Sequence, residues 1–485
     1  MSEMKNSKLV YGNLIGGQWA HSRSGELIAI HSPVDGSLVG SVQSVTKQEV
    51  DELVEISRSS RESWAHTQMY ERSEILHRAA TLLEERAEEI AEILVMEIAK
   101  DRKSALSEVR RTADFLRFTA DVGKSVEGFA VSGDNFPGGS RNKLSYVRRV
   151  PLGTVLAISP FNYPINLSAS KIAPALIAGN AVILKPATQG AVSALHLVKA
   201  LHDAGVPAGV LGTVTGKGSV IGDYIVTHGG IDFINFTGST EVGRHISQIS
   251  CMTPLLMELG GKDAAIVLED ADIKFAAQNI VDGAFSYSGQ RCTAVKRIIT
   301  TDAVADRLIP ALMDGIGRLT MGDPRESCAI TPLIDSKAAD FAQELIADAV
   351  KKGAALVTGG GREGNLIQPT LLDRVTQEMD VAWKEPFAPV LPILRVRDIK
   401  EAIDIANRSE YGLQSSVFTH DINQAFYIAS QLEVGTVQVN NKTERGPDHF
   451  PFLGVKASGL GTQGVRYSIE AMTRLKAITI NLQEQ

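Results

Sequence analysis

From residue 71 the chain reads ERSEILHRAATLLEERAEEIAEILVMEIAK, with apolar positions at Ile75, Ala79, Leu82, Leu83, Ala87, Ile90 and Leu94. Spacings of three and four residues place these side chains on one stripe of a 3.6-residue helix and the charged residues outside it. The pattern predicts one amphipathic helix over about 71–100 and a second over about 103–121, which carries Arg110 and Arg111. Beyond Leu144 the texture changes. TVLAIS (154–159), AVILKP (181–186), GTVTG (212–216), DFINFTG (232–238) and AAIVLE (264–269) are short apolar runs closed by Gly, Pro or polar residues and separated by helical stretches. RIITT, ALVTGG, LPILRV and SSVFT repeat the pattern further on. Unbroken apolar strands alternating with helices predict parallel sheets covered on both faces. The economical reading is two successive α/β units with a boundary near MELGGKD (257–263). The terminal RLKAITINL reads as a strand with nothing after it. Such a strand often pairs outside its own domain, a hint of oligomerisation.

Composition narrows the partners more than the fold. A length of 485 residues suits two or three domains, and 44% hydrophobic with 22% charged residues is ordinary for a globular protein. The balance of 49 Lys plus Arg against 56 Asp plus Glu leaves −7, which gives no reason to expect nucleic acid or an anionic membrane as partner. An anionic substrate stays open, because local positive charge can hide in the total. Cys251, Cys292 and Cys328 are odd in number and widely spaced, so neither a disulfide framework nor a thiolate metal site is expected. The start, MSEMKNSKLVYGNLIGG, has no apolar h-region, and no run of about 20 apolar residues could span a bilayer. A reducing, cytoplasmic setting is the expectation.

Several short stretches carry candidate chemistry. In YSGQRCTAVK, Cys292 sits among Gly, Gln, Ser and Thr with Arg291 directly before it. A free cysteine is commonly a small buried hydrophobe, but a polar turn and an adjacent guanidinium favour a thiolate nucleophile. Cys251 and Cys328 lack such surroundings and read as structural. In MELGGKD, Glu258 lies between Met257 and Leu259. Apolar surroundings would raise its pKa and suit a general base, and a surface glutamate at a strand end is about as good a reading. Asn162, in SPFNYPINL, is placed in a strand-to-helix turn. Its amide could donate to an oxyanion or simply form the turn or cap the helix, and the second is the better bet from the stretch alone. FTGSTEVG puts Gly238, Ser239 and Thr240 at a helix start, where backbone N–H groups bind phosphate. Lys185 ends a strand at an edge where nucleotides bind. GKGSVIG (216–222) is only a weak approach to the dinucleotide fingerprint.

Taken together, PFNYP, LKPA, FTGST, MELGGKD, GQRCTA, KEPFAPV and FLGVKASGLG, in that order, resemble the aldehyde dehydrogenase superfamily over almost the whole chain. NYP (162–164), QRC (290–292) and NNKTERGPDHFPFLGVK (440–456) look most like its NADP-dependent, non-phosphorylating glyceraldehyde-3-phosphate group. The resemblance implies a Rossmann-type cofactor domain (1–129 and 151–260) and an α/β catalytic domain (261–440). The active-site loop region 441–460 would return to the cofactor domain, and a bridging element (130–150 and 461–485) would build a homotetramer, a dimer of dimers.

It also implies roles. Cys292 would attack the aldehyde, Asn162 and the Cys292 N–H would hold the oxyanion, and Glu258 would activate water against the thioester. Glu385 would bond the nicotinamide ribose, Phe387 would lie beside the nicotinamide, Lys185 would bond the adenosine ribose, and Gly238 and Ser239 would meet the pyrophosphate. Thr188 stands where many NAD-using members carry a Glu that would repel a 2′-phosphate, which favours NADP, with NAD possible. Arg111, Tyr163, Arg291 and Arg445 match the positions that hold a substrate phosphate. No metal is implied. Rival expectations are a dehydrogenase for another anionic aldehyde such as succinate semialdehyde, a CoA-acylating relative, and a catalytically silent crystallin-like member.

Overall fold

Burial of both faces shapes the first sheet. Every residue of Ala181–Lys185 and of Phe233–Thr237 is buried, and so these stretches read as unbroken apolar runs. In the computed structural model, which describes residues 1–5 and 8–483, the strand order is Leu211–Thr213, Ala181–Lys185, Thr154–Ile158, Phe233–Thr237, Leu255–Glu258 and Gly459–Leu460. The first five run parallel and Gly459–Leu460 closes the edge antiparallel. The chain steps outward from Thr154–Ile158 through two strands, then returns to lay Phe233–Thr237 on its other side. That reversal opens a crevice at the carboxyl ends of Thr154–Ile158 and Phe233–Thr237.

The second sheet runs Ala355–Thr358, Thr370–Asp373, Val390–Val396, Arg297–Thr301, Ala264–Val267, Gln414–Phe418 and Thr436–Val439. It is parallel except at Ala355–Thr358. Leu255–Glu258 thus belongs to one sheet and Ala264–Val267 to the next, and residues 259–263 join them. Gly260 in that join lets Glu385 lie close, since a Cβ there would be 2.2 Å from Glu385 Oε2 and would push that carboxylate aside.

The terminal strand Thr473–Asn481 pairs antiparallel with Lys143–Pro151, which also pairs with Phe129–Ser132. Thr473–Asn481 is one of the two outer strands of this three-stranded sheet, and its Leu475, Ile478 and Ile480 are exposed.

The single helix predicted over 71–100 is two, Met69–Glu85 and Ala87–Ile98, broken at Arg86 (φ −104°, ψ 14°). A straight 30-residue helix would run about 45 Å. The break lets Ile75 and Leu83 before it, and Ile90 and Leu94 after it, share one core, while Leu82 is only partly buried. No Gly or Pro marks the position; Arg86 is held there by Glu89 and by His196 Nδ1. The second predicted helix is observed as Arg102–Gly123, capped by Asp101. Among the described residues no helix is long and apolar enough to cross a membrane.

Candidate active site

Cys292 follows the helix Ile273–Phe285 in a loop leading to the strand Arg297–Thr301. Tyr287, Ser288 and Gly289 take φ of 50°, 52° and 70°. The left-handed region costs a non-glycine residue about 1–2 kcal/mol, so two in succession need anchors. Ser288 Oγ donates to Thr331 O and accepts from Thr331 N, both at 2.8 Å, Tyr287 OH donates to Ile98 O at 3.3 Å, and Gln290 Oε1 accepts from Ile334 N at 3.0 Å. Gly289 has no substitute, because a Cβ would lie 2.4 Å from Ala388 O.

The half-buried Cys292 lines a cavity of about 450 Å³ at the carboxyl edge of the first sheet. Burial pushes its thiol up to about 12; Lys296 opposes that rise, and Glu258, Glu385 and Asp263 add to it. Arg291 does not supply the charge expected of it. Its Nη2 donates to the Gly283 carbonyl in the preceding helix, and its Nε has no partner among the described residues. The tight turns Arg291 N to Gly289 O and Ala294 N to Arg291 O accompany this turn of the side chain back toward the helix. The cation beside the cysteine is Lys296, which donates to the Cys292 carbonyl and pairs with Glu385 at 2.9 Å. Of the cysteines read as structural, Cys328 is buried, but Cys251 is exposed and fills no core.

Asn162 also lines the cavity. Its amide donates to the Gln290 carbonyl at 2.9 Å, which ties it to the cysteine loop, and its second N–H has no acceptor among the described residues. It does not cap the following helix, Asn166–Ile177, whose N-cap is Ile165. The Asn162 carbonyl accepts from Lys100 Nζ at 2.8 Å. Lys100 is paired with Glu108, both fully buried, and Glu108 Oε1 accepts from Ile165 N and Asn166 N at 3.0 and 3.1 Å. The Lys100 ammonium lies 3.5 Å from the Tyr163 ring centre. Breaking one partner of such a buried pair costs about 3–5 kcal/mol, so the pair fixes where the amide sits.

Glu258 ends its strand buried, but not in the apolar setting expected. Its Oε1 accepts from Arg445 Nη1 at 2.7 Å, and its Oε2 accepts from Thr237 Oγ1 at 2.8 Å. Thr237 accepts in turn from Lys171 Nζ at 2.7 Å. Strand neighbours point to opposite faces, so Met257 and Leu259 flank Glu258 in sequence without surrounding its carboxylate. Lys171 is fully buried and its ammonium is pushed down to about 8 by that burial, against the attraction of Glu258.

On the other side of Cys292 the cavity is lined by Lys185, Gly238, Ser239, Glu385 and Phe387. Ser239 caps the helix Thr240–Ile249, accepting from Val242 N at 3.3 Å. Phe387 (φ 46°) sets its ring 6.0 Å from that of Phe161. Lys185 is buried, makes no ion pair or side-chain hydrogen bond among the described residues, and burial pushes its ammonium down to about 8. An unpartnered cation beside a helix N-terminus fits a phosphorylated dinucleotide. Thr188 lies outside the cavity lining, at the turn into Ala191–Asp203, where its carbonyl accepts from Ala191 N at 3.4 Å. A larger cavity, about 780 Å³, opens beside Ile266 and Ile299 in the second sheet and holds none of these groups.

The arginines form the third part. Arg111 Nε and Nη2 each donate to Asp448 at 2.8 Å, and Nη2 also donates to the Arg445 carbonyl at 3.0 Å. Arg445 Nη2 donates to Gln463 Oε1 at 2.9 Å, and its Nε lies 3.7 Å from Asp448 Oδ1. Arg111 and Arg445 thus meet through Asp448, while Arg291 is turned to Gly283. Sequence reasoning missed Lys171, Thr237, Lys296, Asp448 and Gln463. Thr237, Lys296 and Asp448 lie inside stretches already singled out; Lys171 lies just beyond SPFNYPINL and reads as one polar position of a helix.

The aldehyde dehydrogenase family profile matches residues 19–478. The chain is 54% identical over 472 residues to the NADP-dependent glyceraldehyde-3-phosphate dehydrogenase of Streptococcus equinus, covering 97% of this chain and 99% of that one. It is 49% identical to the enzyme of the same name from Nicotiana plumbaginifolia, covering 96% and 94%. The crystal structure of the NADP-dependent glyceraldehyde-3-phosphate dehydrogenase of Bacillus halodurans C-125, complexed with NADP, superposes with a TM-score of 0.97 at 53% identity, covering 98% and 99%.

Proposed function

The chain belongs to the aldehyde dehydrogenase family, and within it we propose that the protein oxidises glyceraldehyde 3-phosphate to 3-phosphoglycerate with NADP. The observation that carries this reading is the connected set Arg111, Asp448, Arg445 and Glu258, which puts one guanidinium, that of Arg445, on the base and joins a second, that of Arg111, to it through Asp448. Several charge-assisted donors around one small site suit a phosphate dianion.

Cys292 loses its thiol proton to solvent, the thiolate sulfur bonds to the aldehyde carbon, and the carbonyl oxygen becomes an oxyanion that takes the free N–H of Asn162 and the backbone N–H of Cys292. Bound NADP supplies the acceptor for the hydride. The acyl group is then held on Cys292 as a thioester. Glu258 takes a proton from water, the water oxygen bonds to the acyl carbon, and the carbon–sulfur bond breaks to release the acid. Lys185, Gly238, Ser239, Glu385 and Phe387 hold the dinucleotide, and a hydroxyl at Thr188 in place of a carboxylate supports NADP over NAD. Tyr163 and Arg291 complete the substrate side.

Residues 1–129 and 151–260 serve as the cofactor part and 261–440 as the catalytic part, supported by the separate sheets of Leu255–Glu258 and Ala264–Val267. Region 441–460 returns over the site. The sheet of Lys143–Pro151 and Thr473–Asn481, with its exposed apolar edge, supports a bridging role for 130–150 and 461–485 in a dimer of dimers. The enzyme would work in the cytoplasm, in glycolysis. Turnover of glyceraldehyde 3-phosphate with NADP in buffer free of inorganic phosphate tests the reading. Equal kcat/KM for succinate semialdehyde would overturn it.

A further inference from the structure

We infer that Arg445 is shared between substrate and base: the substrate's phosphate draws the guanidinium away from Glu258 and so releases the base for thioester hydrolysis. The inference rests on the reading of a phosphorylated substrate. Both Glu258 oxygens already accept hydrogen bonds, one from Arg445 and one from Thr237. Taking a proton from water competes with one of these donors. Thr237 is the rigid one, because its hydroxyl is on a buried strand and is held by the fully buried Lys171. Arg445 is the movable one. Its side chain is 14% exposed, it precedes Gly446 at φ 134°, and it lines a second cavity of about 300 Å³ with Asp448 and Phe450.

The charges explain why an anion would move it. Arg111, Asp448, Arg445 and Glu258 alternate in sign along one chain of contacts. A neutral aldehyde leaves that chain intact and the base clamped. A phosphate dianion placed between Arg111 and Arg445 meets two cations already matched by two carboxylates, so binding it requires an exchange of partners. Gln463 Oε1 gives Arg445 an uncharged hold on Nη2 through such an exchange. The phosphate then contributes to the rate of hydrolysis as well as to binding, which is energy used away from the reacting carbon.

The test separates the two halves of the reaction in the full-length enzyme with NADP. Uncharged glyceraldehyde forms the acyl-enzyme, and the mass of the Cys292 adduct is followed by rapid quench with and without phosphite dianion, at matched ionic strength. The expected result is saturable acceleration of adduct decay, about 5- to 150-fold, the usual range for coupling between two bound groups, with adduct formation unchanged. In Arg445→Gln the base has lost its clamp, so adduct decay without phosphite should be faster than in the unactivated parent and should no longer respond to phosphite; slower basal decay, or a retained response, overturns the gate. Equal acceleration of formation and decay, or no acceleration, overturns the gate in the unaltered enzyme whether or not the variant folds. If glyceraldehyde 3-phosphate is strongly preferred over glyceraldehyde and phosphite still has no effect, the gate alone fails. If that preference is missing, the substrate reading fails with it.

Discussion

The two sides of Cys292 are built on opposite terms. The crevice side rests on strand ends and a helix start, and its cation, Lys185, has no carboxylate partner among the described residues. On the arginine side each guanidinium is already committed, Arg111 to Asp448, Arg445 to Glu258 and Arg291 to the Gly283 carbonyl. A ligand on the first side meets a group that burial has left unmatched. A ligand on the second side must exchange partners. The first side therefore governs affinity almost alone, whereas the second couples affinity to the chemistry.

Cys292→Ser breaks the comparison at its centre. Oxidation should fall by about four orders of magnitude or more, as for loss of an enzyme nucleophile. NADP affinity, measured by fluorescence titration, should change less than about threefold, because the crevice keeps its own groups. Turnover close to that of the unaltered enzyme would end the nucleophile assignment.

Next in size is Glu258→Gln, on the arginine side. Adduct formation should survive as a stoichiometric burst of NADPH, and steady turnover should fall about 10²- to 10⁴-fold, the usual contribution of a general base. Loss of the burst itself would mean that Glu258 acts before hydrolysis, in activating the thiol.

Arg111→Ala should lower kcat/KM for glyceraldehyde 3-phosphate by roughly 10- to 150-fold, the equivalent of about 1.5–3 kcal/mol for one charge-assisted contact. Uncharged glyceraldehyde should be affected about twofold or less. Equal losses on both substrates would remove Arg111 from the phosphate site and leave it as a tether for Asp448.

Lys185→Met sharpens the other side. It should raise KM for NADP about tenfold and leave kcat nearly unchanged, since a lost charged hydrogen bond is worth about 1.5 kcal/mol or more. The sign with pH follows from a depressed ammonium. Below about 8 Lys185 is charged; as pH rises through that value the proton is lost, and if Lys185 holds the cofactor the affinity should fall with it. Binding titrations from pH 7 to 9 should show that fall in the unaltered enzyme and not in Lys185→Met.

The same contrast explains what the sequence made legible. The crevice could be read in advance because regular elements carry it: apolar runs marked the strands, and turn residues marked their carboxyl ends. Lys185, Gly238 and Ser239 were placed by that pattern, while Glu385 and Phe387 came from the family resemblance alone. The arginine side depends on a loop that brings Asp448 to Arg111 on the helix Arg102–Gly123, 337 residues apart in the chain, and local periodicity carries no trace of such a contact. Glu258 was singled out with the wrong surroundings, because its sequence neighbours face the opposite side of the strand. Lys171 and Gln463 look like any polar residue until the fold points them inward.

The smallest effect decides where Arg291 belongs. Burial holds the Cys292 thiol at about 12, and Lys296 is the cation that opposes it. The thiolate is the reactive form, so alkylation by iodoacetamide in cofactor-free enzyme should rise about tenfold per pH unit between pH 7 and 9 without a plateau. The guanidinium of Arg291 is turned to the Gly283 carbonyl, so Arg291→Ala should change that rate less than about twofold. Lys296→Met should slow it by a few-fold, because removing a nearby cation disfavours the thiolate. If the order is reversed, and Arg291→Ala is the slower variant with a deficit that shrinks as pH rises, Arg291 acts on the thiol. The guanidinium would then leave the Gly283 carbonyl in the reactive enzyme, and the cysteine loop would join the arginine side.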